Sequence, residues 1–128
     1  FSGKGATMRR PVIERTSFGS ITIDGHRYDH DVVIRLDWTV EKRRKKLSRR
    51  VYGSSHTVSL DEARHICQEG AAVVVVGTGQ YGALELSDEA ADHFRDMGCR
   101  VSAAPTPEAL GIWNSAEGAA VAMFHVTC

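Results

Sequence analysis

Gly77-Thr78-Gly79-Gln80-Tyr81-Gly82 follows directly on the apolar run Ala71-Ala72-Val73-Val74-Val75-Val76. A buried strand entering G-x-G-x-x-G is the arrangement that cradles a dinucleotide pyrophosphate on the amides of the next helix. Three further requirements of that chemistry are not met. The first helix cap after the loop is Ser87, beyond Ala83-Leu84-Glu85-Leu86, so no helix opens on the glycines. The next strand, about 99–104, runs into Pro105 without an acid for the ribose hydroxyls. Too little chain follows Val76 for a complete dinucleotide fold. What remains is a connection from Gly77 to Leu86, longer than the roughly 2–6 residues usual for such links. It leaves the carboxyl end of a parallel strand, where open α/β sheets bind ligands. Pro105-Thr106 should emerge on the same edge. Gly77, Thr78, Gly79, Gln80, Tyr81, Gly82 and Thr106 are therefore a candidate site for a phosphate, a small acid or a partner. The plainer reading gives the glycines a conformational task, the supply of positive φ in an exposed turn.

Other constellations carry less. His26, Tyr28 and His30 alternate along one strand face, with Asp29 and Asp31 on the other. A metal would need His56 or a carboxylate to join the histidines, and no metal site is assigned. His125 and Cys128 have the residue types of a nucleophile pair, but three positions apart on a strand they point to opposite faces. Lys42-Arg43-Arg44-Lys45-Lys46, with Arg49 and Arg50 beyond, is the strongest charge run. It lacks the interleaved aromatics of a nucleic-acid surface. It reads as a solvated edge or as a docking patch for an acidic protein.

The net charge of zero conceals a division. Residues 1–50 hold 13 Lys/Arg against 6 Asp/Glu, and residues 51–128 hold 3 against 10. The acidic half of a second copy could meet the basic half of the first, so a homo-oligomer is one expected arrangement.

The elements that must position these residues differ between the halves. In the first, Ser20–Ile23 alternates, Asp24-Gly25 is a hairpin turn signal, and 27–36 can return as the partner strand. Thr39–Lys42 adds a short strand, and 48–57 reads as a loop. In the second, three helix-to-strand units follow one another. Ser59 with Glu62 makes a capping box, Ser87 caps the next helix, and Thr106 caps the third with Pro107 at its first position. The strands behind them fall at 71–76, about 99–104 and about 119–126. Alternating helices and strands imply a largely parallel sheet with right-handed crossovers. Ala119–Phe124 is apolar on both faces and belongs at the centre.

At 128 residues the chain suffices for one domain, taken as 8–128, with Phe1–Thr7 set aside as an expected non-native or disordered start preceding Met8. Hydrophobic and charged fractions of 42% and 25% are ordinary for a soluble globular protein. The longest apolar run is far too short to span a bilayer. Cys67, Cys99 and Cys128 form no C-x-x-C, which argues for a reducing, cytoplasmic setting.

Val75–Gln80, Pro105–Ala109 with Trp113-Asn114, His125-Val126-Thr127-Cys128 and Tyr52–His56 together resemble the Mth938-domain family, known as a domain of unknown function. The resemblance spans roughly residues 12–128. It implies a three-layer α/β fold: a mixed, mostly parallel central sheet flanked by helices, with a small additional N-terminal antiparallel sheet. It adds Asn114 and His56 to the candidate binding residues and brings no established reaction or cofactor. Eukaryotic members include a mitochondrial complex I assembly factor and a protein linked to adipogenesis, which points to protein partners. The expectation is a non-catalytic protein-binding or assembly-type module, without cofactor. The alternative is an enzyme or small-ligand protein using the Gly77–Gly82 loop and the helix start at Thr106. One departure concerns Asp37-Trp38-Thr39, where glycine would suit the turn.

Overall fold

The computed structural model describes residues 9–128, and the expectation for residues 1–7 lies outside them. The chain begins with a three-stranded meander: β1 (Ile13–Ser17), β2 (Ser20–Ile23) and β3 (His26–Tyr28). Asp24 and Gly25 have φ of 49° and 78°, the doubly positive turn that suits the twist of a two-residue hairpin. The chain does not continue as one strand from 27 to 36. β3 ends at Tyr28, and β4 (Val32–Ile34) belongs to a different sheet. All three residues of β4 are buried, which a position at the edge of the small meander could not provide.

β4 and β5 (Val40–Lys42) form the antiparallel side of a five-stranded sheet ordered β5-β4-β10-β7-β9. Its parallel side is β7 (Val73–Thr78), β9 (Arg100–Ala104) and β10 (Ala120–His125). The doubly apolar last strand, β10, lies at the centre, as its composition demands. The β4–β5 turn places Trp38 at φ 71°, and its ring packs edge-on against Trp113 at 6.0 Å. Arg10 lies over both indoles, 4.6 and 4.8 Å from their centroids, so Trp38 contributes to packing rather than to an open face.

Alternation sends one set of sheet residues to each face. Val33, Val74, Val76, Val121 and Met123 pack with α2 (Leu60–Ile66) and α3 (Asp88–Asp96). Val32, Ile34, Val75, Ala122 and Phe124 pack with the meander and with α4 (Thr106–Ser115). The mixed sheet is thus the middle of three layers. A separate two-stranded parallel pair, β6 (Thr57–Val58) and β8 (Glu85–Leu86), adds Val58 and Leu86 to the core on the α2/α3 face, so Leu86 does lie in an extended segment.

Three local readings are corrected. Residues 46–52 form α1 (Lys46–Tyr52), which takes up the first part of the 48–57 segment expected to be a loop and is closed by Gly53 at φ 70°. Ser59 does cap α2 by accepting from Glu62 N–H, but the Glu62 carboxylate does not return to Ser59. It turns inward to Arg43 and Ser48. Thr106 is the first residue of α4 rather than its cap, and its hydroxyl donates to His125 O at 2.6 Å.

Candidate functional site

The glycine loop and the end of β10 are built as one unit. Register pairs Gly77 with Ala104 and Thr78 with His125, so Thr106 does reach the same edge. Gly79 N–H donates to Thr106 Oγ1 at 2.9 Å, and Thr106 N–H donates to Gly79 O at 2.8 Å. Beyond β10 the chain folds over the loop. Gln80 N–H donates to Thr127 O, and Tyr81 and Ala83 N–H both donate to Cys128 O. The amides that would have cradled an anion are therefore satisfied by the chain itself. Gly79, at φ 103°, lies so close to Cys128 that a Cβ there would collide with its backbone. Thr78 is buried, and the Gln80 amide reaches Thr16 Oγ1. Of the loop, Tyr81 is presented outward, 79% exposed beside Phe18 at 59%, with ring centroids 6.2 Å apart. Asn114 bonds both Ile13 N–H and Ile13 O, tying α4 to β1. His56 is exposed, with its ring 5.4 Å from that of His125.

A second site emerges where β4, β5 and β10 run out together. Phe124 pairs with Val32, and Val32 pairs with Lys42. One residue further along, His125, Asp31 and Arg43 fall side by side across three neighbouring strands. Asp31 shares the face of Val33, and His125 that of Met123, so both lie under α2, which contributes Glu62. The result is a closed polar network. Asp31 Oδ2 accepts from His125 Nδ1 at 2.7 Å and from Arg43 Nη1 at 2.9 Å, while Asp31 Oδ1 accepts from Val126 N–H at 2.8 Å. Arg43 also donates to both Glu62 oxygens, at 2.6 and 2.9 Å, and to Ser55 O at 2.8 Å. Ser48 Oγ donates to Glu62 and accepts from Ser59 N–H. Asp31, Arg43, Glu62 and His125 are each at most 3% exposed.

Electrostatics follows from this geometry. Burial alone would push the Asp31 pKa up, but hydrogen bonds from His125, Val126 N–H and Arg43 outweigh it and hold the carboxyl well below the ordinary carboxylate range. Burial opposes the charge on Arg43, yet its pairing with Glu62 and Asp31 raises its pKa. Arg43 is thus removed from the expected docking patch: it is the buried anchor beneath that patch. Lys42, Arg44 and Lys46 stay exposed, and Lys45 is half-exposed with Nζ 3.8 Å from Asp31 Oδ2. Together with Arg49, Arg50, Val126 and Thr127 they line a cavity of about 670 Å³, within the range of small-molecule pockets. Among the described residues no cluster of three metal-ligating side chains occurs. His26, Tyr28 and His30 instead form a row of ring contacts at 5.2 and 5.9 Å.

The family profile described as a protein of unknown function (DUF498/DUF598) matches residues 13–125. The chain belongs to this family. A conserved hypothetical protein of Pyrococcus horikoshii, PH1505, is 36% identical, with a TM-score of 0.84 over 91% of this chain and 98% of that one. The structure titled MT938 is 33% identical, with a TM-score of 0.79 over 92% and 99%. A Bordetella pertussis protein described as a Mth938-like domain shares the fold at a TM-score of 0.61 and 16% identity, over 91% and 85%. No curated protein matches this chain. The Mth938-like fold is thus the one expected from the signatures of this DUF498 chain, and those relatives carry no stated activity. No helix among the described residues is long and apolar enough to cross a membrane.

Sequence reasoning grouped Arg43 with its exposed neighbours and missed the network beneath them. The sequence reading paired His125 with Cys128, on opposite strand faces, and did not single out Thr127, two residues from His125 and so on its face of an extended chain. Asp31 and Glu62 come from chain positions 94 residues before His125 and 19 after Arg43, and only strand register joins them.

Proposed function

We propose that this DUF498 domain is a protein-binding module, and that its working surface is the basic cavity with the aromatic pair beside it. The observation that carries the reading is one of continuity. Gly19 and Thr127 line the cavity, and the aromatic pair is Phe18, next to Gly19, with Tyr81, whose amide bonds the residue after Thr127. Exposed Tyr and Arg side chains around a recess have the composition of an interface centre. The cations select an acidic partner and speed its approach. The ion network below holds β5 and the start of α1 in place, so the surface is pre-formed and little ordering is lost on binding.

The test uses purified chain as bait in native lysate, with Lys42→Glu/Lys46→Glu/Arg49→Glu and Tyr81→Ala as parallel baits. Both variants alter exposed residues, and equal melting temperatures establish equal folding. A specific acidic partner should be retained by the parent, weakened by each variant, and released as salt shortens the Debye length below about 8 Å. Sedimentation at low and high salt distinguishes self-association through the acidic half. Indifference of every captured protein to both variants, together with a monomer at all salt concentrations, would refute the reading.

A further inference from the structure

The Asp31–His125 pair ends in a hydroxyl. Thr127 Oγ1 lies 3.2 Å from His125 Nε2, the nitrogen left free to accept when Nδ1 donates to Asp31. A base within about 2.6–3.2 Å of a hydroxyl, held in its accepting tautomer by a buried acid, has the role geometry of a Ser-His-Asp triad. The arrangement is restrained on every side. Asp31 Oδ1 holds Val126 N–H, the amide between the two partners, and Thr127 O is fixed by Gln80 N–H. His125 is 1% exposed, whereas Thr127 is half-buried and lines the basic cavity. The base is shielded from water, and the residue carrying the hydroxyl borders open space.

We propose that Thr127 is a hydroxyl nucleophile with His125 as its base and Asp31 as a positioning residue, accepting an acyl group from a carboxylic ester that bears a second, anionic group. Lys42, Lys45 and Arg49 in the same cavity set the preference for an anion. Thr127 Oγ bonds to the carbonyl carbon as its proton passes to His125 Nε2. The tetrahedral adduct then breaks its bond to the leaving oxygen, which takes that proton from His125 and departs as an alcohol. The product is an ester at Thr127. Attack by water, with the same base, releases the carboxylic acid and restores the hydroxyl. The amides of Gln80, Tyr81 and Ala83 are bonded to Thr127 O and Cys128 O, so they offer no oxyanion pocket. Acylation is accordingly slow and is read as single turnover.

The probe is the p-nitrophenyl monoester of glutaric acid, followed by nitrophenolate release and intact mass, with the adduct located by fragmentation. The parent should gain one acyl group, on Thr127, and should react more slowly with uncharged p-nitrophenyl butyrate. Thr127→Ser should keep the adduct and Thr127→Ala should lose it. His125→Gln should slow acylation by about 100-fold or more. Asp31→Asn should lower the saturated rate while leaving the half-saturating ester concentration unchanged, a split that a merely structural role would not produce. Thr127 is half-buried, so its two variants decide the matter even if the buried ones unfold. An adduct on Cys128 or a lysine, no adduct at all, or labelling that survives Thr127→Ala would overturn the proposal.

Discussion

Replacing Arg43 by methionine isolates the network from the surface above it. The side chain is fully buried and makes four hydrogen bonds: one to Asp31, two to Glu62 and one to Ser55 O. Methionine fills much of the volume and removes the charge. Asp31 and Glu62, 1% and 0% exposed, then remain buried without their shared cation. Breaking a buried pair in this way costs about 3–5 kcal/mol, a large part of the roughly 5–15 kcal/mol that holds a domain folded. At this chain length the loss corresponds to about 10–20 °C in melting temperature. Urea titration at pH 7 should show a lower midpoint with an unchanged slope. The pH dependence gives a second reading. The parent's Asp31 has a folded pKa below its unfolded value, so its contribution is complete above about pH 4 and fades as pH falls towards the folded pKa. In the variant Asp31 loses a donor and a cation while keeping His125 and Val126 N–H, so its folded pKa rises and acid costs the variant less stability than it costs the parent. The gap between the two proteins should therefore be widest near neutrality and narrow as pH falls through the carboxylate range. A loss below about 1 kcal/mol at pH 7, or a gap indifferent to pH, would refute the reasoning.

Other perturbations read other parts of the fold. Gly79→Ala should destabilise by more than about 1 kcal/mol in urea, because φ of 103° and the Cys128 backbone both oppose a Cβ. Ser87→Ala removes only the cap on Ala90 N–H and should cost about 1 kcal/mol, whereas Ser59→Ala should cost more, since Ser59 Oγ also donates to Leu47 O. Trp113→Ala should cost about 3–5 kcal/mol by thermal melting, since the fully buried indole also donates to Pro11 O. In a thiol titration of folded protein at pH 8, Cys128 should react and Cys99 should not, because burial pushes the Cys99 thiol up to about 12.

What the sequence made legible was local. Ser59 and Ser87 announce their helices because a cap acts within three residues, and Asp24-Gly25 announces its turn because the backbone there must take positive φ. Ala119–Phe124 announced a central strand, observed as Ala120–His125, because apolarity on both faces has no other outlet. The segment 27–36 misled because its apolar residues fit a return strand as well as a departure to another sheet, and tertiary pairing decided between them. The glycine loop shows a different limit. Its spacing was real, but spacing carries no information about whether an amide faces a ligand or another part of the chain.

The basic run shows the same limit in sharper form. Five consecutive cations appear equivalent in sequence, yet Arg43 has the opposite environment from its neighbours. The reason is alternation. In the strand extending from β5, Lys42 and Arg44 face away from α2, and the residue between them must face towards it. A cation forced inward requires acids. Asp31 meets it across the strand pair, Glu62 meets it from the helix above, and His125 completes Asp31 from the other side. Glu62 therefore cannot serve the capping box its spacing suggests, since its carboxylate is already engaged in balancing Arg43. The departure from local rule at α2 and the departure from surface character at Arg43 have one cause. That shared cause makes a specific coupling testable: Glu62→Gln should cost markedly less in an Arg43→Met background than in the parent, by more than about 0.5 kcal/mol in a double-mutant cycle. Additive losses would mean that the two residues are buried side by side without balancing one another.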